Sequence, residues 1–145
     1  MGKTVNEITI QAAFDTVFDL SNNIKEWPNL FKEYESTKIL EERHNYIKFC
    51  LTKKEGGVSW ISERYLDKEN KVIHAHRLDP VFPFKFMSLK WDYEPDGDQT
   101  KMTWIQEFQV DPASCHTEKE MEDHLNAATK EEMKRMKEAI EAWRQ

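Results

Sequence analysis

The stretch TEKEMEDHLNAATKEEMKRMKEAIEAWRQ (117–145) reads as one long helix that cannot stand alone. Met121, Leu125, Ala128, Met136, Ile140 and Trp143 recur at helical spacing and make an apolar stripe that needs a partner surface. Thr117 and Glu120 have capping-box spacing and set its start. The charge-rich KEEMKRMKE forms its solvated face, supported by pairs four residues apart. What lies upstream decides which surface the stripe meets.

Upstream, the pattern is mostly extended. KTVNEITIQ (3–11) alternates around Val5, Ile8 and Ile10 and predicts a first strand. Phe14, Val17 and Phe18 then switch to helical spacing, so a short helix begins near Ala13. Ser21-Asn22-Asn23 ends it and can cap a second short helix through Ile24 and Trp27, which Pro28 bends or breaks. Six extended stretches follow, at 34–43, 45–54, 58–67, 71–79, 84–94 and 100–111. Gly56-Gly57, DKEN and PDGD between them suit hairpins, which predicts an antiparallel meander. The fold class is therefore α+β. A curved antiparallel seven-stranded sheet wraps the terminal helix, and its concave face is the surface available to the stripe. Such a grip encloses space where an apolar pocket with a few polar groups can form.

At 145 residues the chain is expected to be one domain over 1–145. Charged residues make up 33% and aromatics 12%, a folded domain with a very polar exterior. No apolar run approaches the roughly 20 residues of a membrane span. The start MGKTVNEITI shows no signal-peptide pattern, and Asn6 stands where a myristoylation motif has Ser or Thr. A cytoplasmic protein without membrane partners is expected. Cys50 and Cys115 have no metal-ligand spacing and are expected as free thiols. A net charge of −6 with no basic block argues against nucleic acid as partner.

The strand 58–67, VSWISERYLD, places Val58, Trp60, Ser62, Arg64 and Leu66 on one face. If that face is the inner one, a guanidinium points into the protein. A buried arginine needs a carboxylate, water or a ligand. Two readings stand: a structural pair with Glu35 or Glu107, or a ligand site. In the last strand Met102, Trp104, Gln106, Phe108 and Val110 share a face, and in the one before it Met87, Leu89, Trp91 and Tyr93 do. For 71–79 the inner set is either Val72, His74, His76 and Leu78, or Ile73, Ala75 and Arg77. His74 and His76 supply two imidazoles but no third metal ligand nearby, and Cys115-His116 lacks an orienting partner for a catalytic dyad. No metal is expected.

The segments NNIKEWPNLFKEY, WISER, AHRLD, MSLKWDY, MTWIQEF and HLNAATKEEMKRMK, in that order, resemble the single-domain aromatase/cyclases of bacterial type II polyketide synthases, tetracenomycin-type cyclases in particular. The likeness runs from Val5 to Lys137 and implies a helix-grip fold of the START and Bet v 1 kind. It implies that Arg64, Tyr34 and Ser62 form the catalytic group. It also implies that Trp27, Phe31, Trp60, Met87, Trp91, Gln106, His124 and Asn126 bind substrate. Val58 departs from a second tryptophan of that pattern, and Glu63 departs from a histidine that faces out.

The activity implied is cofactor-free: a linear poly-β-ketone on an acyl carrier protein is folded, cyclised by aldol closure and dehydrated to aromatic rings. The implied partners are that carrier protein and the minimal polyketide synthase components. An arginine suits such chemistry, since it stays charged and donates two hydrogen bonds in a fixed fork. The proton acceptor is left open between Tyr34 and a water ordered by Ser62 or Tyr34. Lys32, Lys53, Lys54 and Lys85 are candidates for a docking patch at the cavity mouth. The alternative is a non-catalytic carrier of an apolar small molecule, a lipid or quinone, on the same fold.

Overall fold

A computed structural model describes residues 1–78 and 82–143. The chain runs β1 (Gly2–Ile10), α1 (Phe14–Ser21), a 3-10 turn (Ile24–Glu26), α2 (Trp27–Leu30), β2 (Tyr34–Arg43), β3 (Tyr46–Lys53), β4 (Ser59–Asp67), β5 (Val72–Arg77), β6 (Phe84–Asp96), β7 (Gln99–Val110) and α3 (Glu118–Trp143). Asp79, the expected last residue of the fifth strand, lies outside the described residues. The seven strands form one antiparallel sheet in the order β1-β7-β6-β5-β4-β3-β2. Hairpins make every neighbour pair except β1 with β7, so β1 and β2 are the two edges. Helices α1 and α2 carry the chain from one edge to the other.

Helix α3 lies against β1 and β7 and touches α1 and α2. The capping box closes as its spacing predicts: the Thr117 amide donates to Glu120 Oε1 at 2.8 Å, and the Glu120 amide donates to Thr117 Oγ1 at 3.1 Å. The buried stripe differs from the expected one. Trp143 is 66% exposed at the helix end, whereas Thr129, Glu132 and Met133 are buried. Two of those three are polar, so the apolar pattern that marks a helix face did not mark them.

Two other details are corrected. Asn23 precedes the 3-10 turn but makes no side-chain cap bond. Pro28 opens α2 rather than breaking a helix, because in the first turn its missing N–H has no intrahelical partner to lose. In β5 the open choice resolves to Ile73, Ala75 and Arg77 inward: Ile73 and Ala75 are buried while His74 is exposed. Register shifts in β2, between Tyr34 and Ser36 and between Ile39 and Glu41, add twist where the sheet curls toward α2.

At the other edge, Gly2 sits opposite Phe108, whose ring lies over the bare Cα where a Cβ would collide. Phe108 is fully buried and packs with Met87 and Met121 beneath the start of α3. Gly2→Ala is therefore expected to overpack this corner and cost about 1–3 kcal/mol, read as a lowered denaturation midpoint.

Candidate active site

Between the concave face of the sheet and α3 lies a cavity of about 320 Å³. Strands β3 to β7 contribute its sheet wall, α3 its roof, and α2 with the start of β2 one end. Trp27, Phe31, Tyr34, Trp60, Trp91 and Trp104 supply aromatic faces. Trp91 and Trp104, opposite one another on β6 and β7, stack with centroids 4.4 Å apart and planes 5° from parallel. Tyr34 stacks over Trp27 and meets Phe31 and Trp60 edge-on.

Arg64 forms part of the wall and is 1% exposed. No carboxylate pairs with it among the described residues, and Glu35 and Glu107 are both exposed. The structural pairing with either is thus not what holds it. Its guanidinium lies over Trp91 at 4.1 Å and Trp27 at 5.0 Å, and Nε donates to Asn22 Oδ1 at 2.7 Å. Nη2 is shut off from water and has no partner among the described residues. Burial lowers its pKa to about 10, which leaves it a cation at neutral pH.

The acceptor for Arg64 is itself held tightly. Asn22 Nδ2 donates to the Phe18 carbonyl at 2.8 Å and to the Tyr93 hydroxyl at 3.0 Å, and that hydroxyl also bonds Ser21 Oγ at 2.8 Å. Trp27 Nε1 donates to the Ser21 carbonyl. The turn after α1, expected only as a cap, is thus the bracket that aims the arginine.

The structure brings most of the sequence-predicted residues together. Arg64, Tyr34, Ser62, Trp27, Phe31, Trp60, Trp91, Gln106 and His124 line the same cavity. Met87 and Asn126 do not. Met87 is packed behind the wall with Phe108 and Met121, and Asn126 Oδ1 accepts from Asn6 Nδ2 at 2.9 Å, anchoring α3 to β1. Gln106 Oε1 accepts from the Thr4 and Thr129 hydroxyls. Val58 sits at the rim, and Glu63 faces outward, bonded to Tyr46 and paired with His76. Of the candidate docking lysines, only Lys53 lines the cavity.

Four charged lining residues escaped sequence reasoning: Arg77, Glu33, Glu55 and Glu132. Arg77 stands across from Ser62 in the register and covers the Trp60 ring at 4.2 Å. The open inner-face choice in β5 had hidden it. Tyr34 is pushed far up from its usual pKa, first by burial and then by the Glu33 charge, with Arg77 opposing. It remains a neutral phenol, a donor rather than a base. No group of three or more metal-ligating side chains occurs among the described residues. None of the described helices is long and apolar enough to cross a membrane.

Residues 1–141 match the family described as polyketide cyclase / dehydrase and lipid transport. The chain belongs to that family. It is 38% identical over 144 residues, 97% of this chain and 94% of the other, to a Streptomyces cyaneus protein named, provisionally, as a polyketide cyclase. Among solved structures, the Zhui aromatase/cyclase from Streptomyces sp. R1128 superposes with a TM-score of 0.80 at 22% identity, covering 97% of this chain and 91% of that one. The di-domain aromatase/cyclase BexL gives 0.85 at 19% identity, covering 97% of this chain and 47% of that one. These likenesses bear out the START/Bet v 1-like helix-grip fold that the sequence resemblance implied.

A buried cation held by one amide should weigh on stability. Arg64→Met is expected to leave the thermal midpoint unchanged or raise it, since uncompensated buried charge is lost. Asn22→Ala should lower stability by about 1–3 kcal/mol in the natural background and by less in Arg64→Met, a coupling measurable in a double-mutant cycle.

Proposed function

We propose that this chain, acting as a single helix-grip domain over residues 1–145, is a polyketide aromatase/cyclase. It takes a linear poly-β-ketone from an acyl carrier protein, folds it in the cavity, and directs regiospecific aldol closure and dehydration to aromatic rings. The observation that carries this reading is Arg64, a buried guanidinium paired with no carboxylate among the described residues and set in the wall of an aromatic cavity. Arg64 Nη2, Trp91 Nε1 and Trp104 Nε1 have no hydrogen-bond partner among the described residues, and all belong to cavity-lining residues. A poly-β-ketone presents a carbonyl acceptor at every second carbon, which complements a wall that carries a guanidinium. An alkyl chain or lipid tail offers nothing to that cation.

In this mechanism Arg64 stabilises the oxyanion that develops on a ketone oxygen, a role suited to a cation in a water-poor site. Tyr34, a neutral phenol beside it, and Ser62 orient neighbouring carbonyls by hydrogen bonds. Trp27, Phe31, Trp60 and Trp91 hold the chain flat, the shape of the aromatic product. Gln106 and His124 line the same space from β7 and α3. Aldol closure and loss of water are redox-neutral, so no cofactor is needed. The carrier protein and the minimal polyketide synthase supply the chain in the cytoplasm.

The test is the product profile of a minimal polyketide synthase with and without this protein, read by chromatography and mass spectrometry. One regiospecifically cyclised, dehydrated product in place of shunt products is expected, and Arg64→Ala should lower its yield by about 100-fold or more. An unchanged profile across several chain lengths would instead favour a non-catalytic carrier, the other activity in the family's description.

A further inference from the structure

Glu132 is out of place on α3. It is 9% exposed and sits between Thr129 and Met133 on the face turned toward the sheet. A carboxylate there serves no apolar packing. Its Oε2 accepts the Lys32 amide at 2.9 Å, which fixes the side chain between α3 and the segment leading into β2. No hydrogen bond reaches its Oε1 among the described residues, although the residue lines the cavity. The carboxylate is therefore held at one oxygen and free at the other.

Resting on the cyclase reading above, we propose that Glu132 is the proton acceptor and donor of the reaction, working from the helix side while Arg64 holds oxygen from the sheet side. Glu132 takes a proton from the methylene between two ketones, and the resulting enolate is stabilised by the guanidinium. The enolate electron pair forms the new carbon–carbon bond, and the π pair of the attacked ketone moves to its oxygen. That oxygen takes the proton back from Glu132 and becomes a hydroxyl. A second α-proton then goes to Glu132, the hydroxyl leaves with its bonding pair, and the returned proton makes it water. The carboxylate is regenerated, and nothing is oxidised or reduced.

The electrostatic setting suits a base that must also return its proton. Burial raises the Glu132 pKa first and the neighbouring Glu33 charge raises it further, while the Lys32 amide, Arg135 and Lys32 oppose. Tyr34 also senses its charge. Such a base works only when ionised, so activity should rise with pH through a point above the ordinary carboxylate range and fall on acidification. Stability runs the other way. A carboxyl whose folded pKa is raised contributes stability at low pH that is lost as pH rises, so Glu132→Gln should not lower the midpoint at neutral pH. Glutamine also keeps an oxygen for the Lys32 amide.

The experiment is the same synthase assay run across pH with the natural protein, Glu132→Gln, Glu132→Asp and Glu33→Gln. We expect Glu132→Gln to be folded, about 100-fold or more slower, and without the acidic limb, with partial recovery in Glu132→Asp. Glu33→Gln should move the limb to lower pH by removing the neighbouring like charge. If the natural protein changes no products, the cyclase reading fails and this role goes with it. If it cyclises but Glu132→Gln matches its rate and limb, the Glu132 role alone is overturned. If Glu132→Gln does not fold, Glu33→Gln decides: a limb that stays put overturns the assignment.

Discussion

A seven-stranded sheet curled around one helix cannot fill its own middle, and the rest of this structure depends on that constraint. Helix α3 packs on β1 and β7 at one side of the sheet. The opposite side, β2 to β4, must be covered by something else. The insertion between β1 and β2 does this, with Trp27 and Leu30 buried from α2 and Phe31 just after it. What remains between α2, α3 and the concave strands is too wide for side chains to close and is left as the aromatic cavity. Large rings suit its wall because they bury area with few rotamers to freeze.

Within that space, Arg64 is the buried cation, and Asn22 sets its direction. Stacked indoles can shield a guanidinium but cannot orient its Nε. The Asn22 amide can, because the Phe18 carbonyl and the Tyr93 hydroxyl fix its own direction. A carboxylate in the same position would neutralise the cation and satisfy it permanently. A neutral acceptor holds one nitrogen and leaves charge and a donor for use. The arrangement costs stability of about 1–3 kcal/mol for each unmade buried bond, a cost that structural packing alone would not retain.

The fold was legible because strand alternation, hairpin turns and the terminal stripe all agreed, and each boundary fell within about three residues of the observed one. The Ser62 and Arg64 face was legible for the same reason, since Trp60 marks it as inner. Two kinds of residue were not. Arg77 sits on a strand whose two faces both carry apolar and basic groups, so only the register opposite Ser62 reveals it. Glu132 hides in a helix whose sequence is rich in glutamate, where one buried carboxylate looks like any solvated one. Asn22 read as a cap because Ser-Asn-Asn after a helix is the usual sequence of one. Its inward turn depends on Tyr93, 71 residues away. Met87 and Asn126 show the reverse limit: a face or a motif says that a side chain points inward, not whether the cavity extends to it.

The distribution of charge across the cavity follows from these placements. Arg64 and Arg77 project from adjacent strands of the sheet, Lys53 and Glu55 lie at the β3–β4 turn, and Glu33 and Glu132 lie toward α2 and α3. Neither Arg64 nor Glu132, the two that are buried, is cancelled by an ion pair among the described residues, although both line the same cavity. Opposite charges kept apart across a low-dielectric gap create a field directed from sheet to helix. On the proposed function, a 1,3-diketone in that gap would be polarised along it, with oxygen drawn toward guanidinium and the acidic hydrogens toward carboxylate. In the proposed reaction, enolisation would move charge in that same direction, so the field would favour the transition state over the neutral ground state. A carrier for apolar cargo would gain nothing from that separation and would bear its desolvation cost.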